Sequence, residues 1–317
     1  MDAAQPPEVK VTVVALLAAV FVCGTTGAAP PKLKVALTFD DLPLNGTLPP
    51  GTKQSDFARA TIKVLKQHHI PPSYGFINAR GLESNPDGAL ALRIWVDGGQ
   101  PLGNHTYPHL DLSTNSAEDF QREILRNEPV LELLMPQKEK RDWHWFRYPY
   151  LHEGDTLEKR RAVRAFLAAS GYRIAQTTLD FEDYLWNSAY ARCWSSRDET
   201  AIQWLRQSYR TAAREFTRFE VQNSRAVFGR DINHVMLLHQ GAFSSQILPD
   251  LFRILEEEGF EIVTLEQAQK DPAYDYDPDV AEANGGTLIE LGMQAKKVPW
   301  PPDAPKLPRE RLKTICE

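Results

Sequence analysis

Val35-Ala36-Leu37-Thr38-Phe39-Asp40-Asp41 opens as an apolar run and closes on two adjacent carboxylates. A strand buried on both faces of an α/β fold reads as such a run. The carboxyl ends of those strands are where such folds gather their chemistry. Successive side chains of a strand face opposite ways, so Asp40 and Asp41 are expected to do different jobs. One would sit on a cation and the other would be free as a base, the cation stabilising both as anions. Taken alone, the stretch through Leu42-Pro43 reads first as an ordinary turn, since Asp and Pro are turn residues.

Reading outward, short apolar runs alternate with amphipathic ones about seven times. Strands are expected at 33–39, 74–78, 101–105, 143–148, 172–179, 235–239 and 260–265. Helices are expected at 55–68 with Ser55 as cap, and at 85–97, 116–134, 156–170, 198–223 and 247–258. Such alternation predicts a parallel sheet covered by helices. With this many units the expected fold is an α/β, distorted (β/α) barrel of about seven parallel strands. No glycine-rich phosphate loop follows the first run, which argues against a nucleotide site. From Asp271 onward Pro, Asp, Tyr and Lys dominate without clear periodicity. That stretch, 271–317, is expected to be a tail laid over a catalytic domain at 30–270.

The formal net charge of −6 over 317 residues offers no electrostatic footprint for nucleic acid. Residues 11–22 are continuously apolar and lead into Cys23-Gly24-Thr25-Thr26-Gly27-Ala28-Ala29. A run of about a dozen residues is short for a bilayer span and suits a signal-peptide core. The expectation is a signal peptide at 1–29 and export to the periplasm or outside the cell, although Asp2 and Glu8 offset Lys10 before the run. No stable membrane partner is expected beyond an uncleaved anchor. Val22 is bulky for a lipoprotein signal at Cys23. After cleavage Cys193 and Cys316 remain, either paired across the tail or as two free thiols.

Four later stretches carry polar groups at expected strand ends. His105-Thr106-Tyr107-Pro108-His109 places two histidines four apart, on a loop because of the Pro, where they can share one metal. Two His and one Asp leave coordination positions open, as a catalytic site requires. Phe146-Arg147-Tyr148-Pro149-Tyr150 offers an Arg that can grip a carboxylate with two nitrogens. Asp180-Phe181-Glu182-Asp183-Tyr184 follows a strand, and Leu237-Leu238-His239 closes one. A His held by an Asp has a raised pKa and can serve as a general acid.

Taken in order, Thr38-Phe39-Asp40-Asp41, His105-Thr106-x-x-His109, Arg147-x-Pro149-Tyr150, Asp180-x-x-Asp183 and Leu238-His239 resemble the motifs of the polysaccharide deacetylases, the metal-dependent carbohydrate esterases of family four. The resemblance spans roughly residues 33–265. It implies that Asp41, His105 and His109 hold one divalent metal: zinc first, with cobalt, manganese or nickel as alternatives. It further implies that Asp40 is the general base, that Arg147 orients it, and that the Tyr150 backbone N–H faces the oxyanion. By the same resemblance His239 is the general acid, held by Asp183. The substrate implied is an acetylated glycan, N- or O-acetylated, with cell-envelope polymers suggested by export. The family usually carries Trp after the fourth-motif Asp. Here Tyr184 stands there, and Trp186 is the nearest substitute for that wall.

Two other readings use the same residues. One is a hydrolase of a non-sugar C–N bond on the same metal site. The other is a non-catalytic glycan-binding protein, which the filled catalytic positions disfavour. The rings between the last two motifs, Trp186, Tyr190, Trp194, Trp204 and Tyr209, are expected to pack helix on barrel rather than to form a sugar-stacking rim.

Overall fold

Leu33–Asn45 (β1) is the spine of the sheet, longer than the apolar run because pairing continues past the acid pair. The computed structural model describes residues 1–5, 7–8, 32–135 and 142–317. Most of the expected signal peptide therefore lies outside the described residues. Three strands pair with β1 in parallel. His234–Gly241 (β6) follows one edge, from Val35↔His234 to Asp40↔His239. The other edge is shared: Phe260–Val263 (β7) covers Leu33 to Ala36, and Tyr74–Ile77 (β2) takes over at Thr38. Leu102–Asn104 (β3), Trp145–Phe146 (β4) and Arg173–Ile174 (β5) extend the sheet beyond β2 in that order.

The chain after β5 returns to β6, where Leu179 bridges Met236 in parallel. The Leu179 N–H donates to Val235 O and the Leu237 N–H to Leu179 O, both at 3.0 Å. This bridge curls the seven-stranded parallel sheet into the distorted barrel expected from the alternation. Both faces of β1 are covered, so Val35, Ala36, Leu37 and Phe39 are all buried.

Helices cover the outside. Ser116 caps Ala117–Leu134 (α4) by accepting the Asp119 N–H at 3.1 Å, and Thr156 caps Leu157–Ala169 (α5) through the Lys159 N–H at 3.3 Å. Ser55 is not a cap. It lies inside Gln54–Gln67 (α1), where its N–H and Oγ both bond Asp87 at 2.8 Å and tie α1 to Asp87–Asp97 (α3). A short helix, Gly81–Ser84 (α2), precedes α3.

Between Asp183 and β6 the chain forms two helices where one was expected: Leu185–Ser196 (α6) and Glu199–Phe228 (α7). Trp186, Tyr190 and Tyr209 are buried. The Trp186 Nε1 donates to Ser208 Oγ at 3.0 Å, so this ring packs α6 on α7 and does not take the place of the missing Trp in the cleft wall. Ser244–Glu257 (α8) and Leu265–Ala268 (α9) flank β7.

Beyond Asp271 the structure contains Leu288–Lys296 (α10) and Arg309–Thr314 (α11), which the composition there does not announce. Thr287 starts α10 with a capping box, its Oγ1 accepting the Glu290 N–H while Glu290 Oε2 accepts the Thr287 N–H at 2.7 Å. Cys193 and Cys316 are disulfide-bonded, which pins α11 to α6. The Arg192 side chain adds to this by donating to the carbonyls of Leu312, Lys313 and Ile315 at 2.7, 2.9 and 3.1 Å.

Candidate active site

A cavity of about 640 Å³ opens at the carboxyl ends of the strands, and Asp40, Asp41, His105, His109, Tyr150 and His239 all line it. Strand alternation alone would have pointed one of the two Asp side chains away. Asp41 instead takes a φ of +60°, a left-handed step that turns its carboxylate back beside that of Asp40. His109, Tyr150, Leu151 and Glu182, which line the cavity, share this conformation, as does the buried Thr106. Each costs about 1–3 kcal/mol, which surrounding contacts must offset.

The His105–His109 stretch is a loop, as its Pro requires. Asn104 Oδ1 accepts the Thr106 N–H at 3.0 Å, and Asn78 Nδ2 donates to His105 O and Thr106 O at 2.7 and 3.1 Å. These bonds aim His105 Nε2 at the acid pair, 3.7 Å from both Asp40 Oδ2 and Asp41 Oδ1. His109 Nε2 lies 3.3 Å from Asp41 Oδ1.

Asp41, His105 and His109 each offer one ligand atom, and the three lie within 4.8 Å of one another. Their chemistry fits a divalent cation. His105 Nδ1 sits 2.7 Å from Arg147 O, which can only accept, so Nδ1 carries the hydrogen and Nε2 keeps its lone pair. Burial pushes both imidazoles down to about 4, which keeps them neutral. Burial works to raise Asp41, but the His239 imidazolium foremost, and the Asn45 amide, whose Nδ2 is 2.8 Å away, hold it below its usual range.

Arg147 is fully buried, which excludes a surface role. It does not grip Asp40 with two nitrogens. A single one, Nη1, straddles both carboxylate oxygens at 3.4 and 3.3 Å, because Nη2 is spent on Thr38 Oγ1 at 3.0 Å and Nε on Ala175 O at 2.7 Å. Burial raises the Asp40 pKa, and the guanidinium works against that rise.

Across the β1–β6 ladder Asp40 pairs with His239. Asp183 takes the His239 backbone N–H on one oxygen at 3.0 Å and meets ring Nδ1 with the other at 2.7 Å. Burial alone would lower this imidazole. The Asp183 carboxylate outweighs it, and the ring is pushed up to about 9. Tyr184 stands edge-on to His239 with ring centroids 5.2 Å apart, and its hydroxyl bonds Glu182 Oε2 at 3.2 Å. Asp180 also lines the cavity, and burial pushes it up to about 7.

All eight residues singled out from the sequence thus meet around one cavity or directly support it. Several others were not singled out. Thr38 and Asn45 lie within or beside the quoted run but carry no periodic signal of their function. His152 and Asp111, bonded at 2.9 Å, sit on separate loops. Asn284, Gly285, Gly286, Glu290 and Arg309 reach the cavity from the C-terminal segment.

One cavity of a parallel barrel thus gathers an Asp-His-His cluster, an Arg-held carboxylate and an Asp-held imidazole. The chain belongs to the polysaccharide deacetylase family, whose profile matches residues 27–191. Among curated proteins it is similar to the peptidoglycan-N-acetylglucosamine deacetylase of Bacillus cereus, 28% identical over 153 residues, or 48% of this chain and 47% of that protein. It is also similar to the chitin deacetylase of Colletotrichum lindemuthianum, 28% identical over 155 residues, or 47% of this chain and 52% of the relative. These matches span about half the length of either relative. The solved structure of the Colletotrichum enzyme aligns with a TM-score of 0.49 at 22% identity, covering 74% of this chain and 86% of that one.

Proposed function

We propose that this chain is an exported, divalent-metal-dependent deacetylase acting on N- or O-acetylated glycans, with cell-envelope polymers as the first candidates. The observation that carries the reading is the juxtaposition, in one cavity, of Asp41-His105-His109 with two oppositely equipped proton carriers. Asp40 is a buried carboxylate beside a guanidinium, and His239 is an imidazole that keeps its proton at neutral pH. Asp41, His105 and His109 would hold the metal, zinc first, with cobalt, manganese or nickel able to use the same donors. When bound, it supplies Lewis acidity toward the acetyl carbonyl and toward water.

The chain's own groups account for the proton movements. Asp40 takes a proton from the attacking water, and Arg147 holds that carboxylate in place. The Tyr150 N–H faces the carbonyl oxygen as it gains charge. As the C–N bond breaks, His239 passes its proton to the departing nitrogen, which leaves as an amine rather than an amide anion. Asp183 fixes the ring and stabilises its charged form. Acetate and a free amine are the products; an O-acetyl ester gives acetate and an alcohol by the same steps. Export is supported by the Cys193–Cys316 bond, a pairing that persists in oxidising compartments, together with the apolar run at 11–22.

The test is acetate release from acetylated chitooligosaccharides, peptidoglycan and acetylxylan, with and without chelator, with metal add-back, and with Asp40→Asn alongside. We expect metal-dependent release that falls at least about 10²-fold in the variant. Stoichiometric metal without release from any glycan would transfer the site to a non-sugar amide. Neither metal nor release would remove the assignment.

A further inference from the structure

Residues 282–286 have no part in the reaction above and lie outside the stretch matched to the family, yet Asn284, Gly285 and Gly286 line the same cavity as Asp41 and His109. Of the three, Gly285 packs against the single turn Pro149–Leu151. Tyr150 and Leu151 both hold left-handed φ, 59° and 58°, and neither is glycine. Such a pair persists only where its surroundings over-determine it. The turn's own bonds run from the Leu151 N–H to Tyr148 O at 3.1 Å and from the His152 N–H to Pro149 O at 3.0 Å. The carbonyl three residues before Tyr150, that of Arg147, is engaged by His105 Nδ1. The turn is thus lightly bonded around Tyr150.

The outside support is Gly285, at φ +71°. A Cβ there would stand 2.5 Å from His152 Cδ2, 2.7 Å from Tyr150 O and 2.9 Å from Leu151 O. Two of those atoms are backbone, so no rotamer change relieves the clash. His152 is itself tethered to Asp111. The segment is anchored on both sides of the contact. The Glu282 N–H donates to Gly154 O at 3.2 Å, Glu282 Oε1 accepts the Asn284 N–H at 3.1 Å, and the Thr287–Glu290 box follows at once.

We propose that residues 282–286 are a positioning element of the hydrolytic site, with Gly285 pressing the Tyr150–Leu151 turn into the conformation that aims the Tyr150 N–H at the acetyl carbonyl. The positioning role rests on the deacetylase reading, whereas the clamp itself rests on packing alone. The experiment therefore has two readouts on the full chain. Gly285→Ala is assayed for kcat and KM on the best acetylated substrate. Hydrogen exchange of peptides covering 149–152 is followed by mass spectrometry, with β6 as internal reference.

We expect kcat to drop about tenfold or more with KM little changed, because misplacing one donor acts on the transition state. Exchange at 149–152 should quicken about tenfold while β6 stays protected. Glu282→Ala, which loosens the segment without adding a Cβ, should move both readouts the same way by less, and it carries the test if Gly285→Ala does not fold. A folded Gly285→Ala with wild-type kcat and wild-type exchange overturns the proposal, as does unchanged exchange in Glu282→Ala when it is the variant that folds. If wild type releases no acetate, the deacetylase reading fails and exchange alone decides the clamp.

Discussion

The two sides of the cavity are built by different means. On one side Asp40, Asp41 and His239 lie toward the carboxyl ends of β1 and β6, and His105 and Arg147 directly follow β3 and β4, so ladder hydrogen bonds and the barrel core fix them. On the other side residues 284–290 and Arg309 arrive from outside the sheet. They are held by discrete cross-links: a capping box, the Cys193–Cys316 bond and the Arg309–Glu182 ion pair. The contrast teaches where variation is tolerated. Moving a strand-end group disturbs the core that holds it, whereas the C-terminal segment can change the cavity's outline and leave the barrel intact.

The largest effect should come from the strand-end side. Arg147→Met leaves Asp40 as a buried charge without its partner and strips donors from Thr38 and Ala175. Breaking such a pair costs about 3–5 kcal/mol. Denaturant unfolding of chelated protein should show this loss, and adding Asp40→Asn should recover part of it. A loss below about 1 kcal/mol would mean the pair is not the anchor its burial suggests.

Cys193→Ser probes the other side. The bond closes a separation of 123 residues, and removing it should cost about 2–4 kcal/mol of stability. Turnover should change far less than in Arg147→Met, since the α10 box still holds residues 287–290 in place. If kcat fell as far as it does in Arg147→Met, the division between the two sides would break.

Much of the strand-end side was legible because an apolar run closing on a polar residue is a local signal. Val35–Asp41 and Leu237–His239 are such runs. β4 and β5 are only two residues each, so their neighbours set them and sequence gives only their neighbourhood. The left-handed step at Asp41, which brings both carboxylates to one cavity, is a departure within β1 that strand alternation does not encode. The other side was largely illegible. Thr287-x-x-Glu290 is a readable capping box, but the Pro- and Asp-rich stretch around it hides the short helix it starts. That Gly285 meets a turn more than 130 residues earlier is a tertiary fact with no local trace.

Asp183→Asn sharpens the strand-end account through pH. The folded pKa of His239, about 9, exceeds its unfolded value of about 6.5. Its contribution is therefore fully present below about pH 6.5 and is lost as pH rises through 9. Asp180, raised to about 7, titrates with the same sign, so the quantity to read is wild type minus variant in chelated protein. That difference should shrink by a few kcal/mol between pH 6.5 and 9. A flat difference would mean Asp183 orients the ring without holding its charge.

The smallest effect should come from Arg309→Ala. The guanidinium is about half exposed, so its pair with Glu182 is screened and should contribute no more than about 1 kcal/mol to stability. Its position still gives it a function to lose. Glu182 sits at a left-handed φ and accepts the Tyr184 hydroxyl, and Tyr184 stands against His239. Freeing Glu182 loosens that wall without touching Asp40 or His239 themselves. KM should rise by up to about fivefold, matching at most about 1 kcal/mol of binding, while kcat stays within about twofold. The reverse pattern, kcat falling at constant KM, would place Arg309 with the strand-end residues in setting the transition state, and the two sides of the cavity would then be one machine.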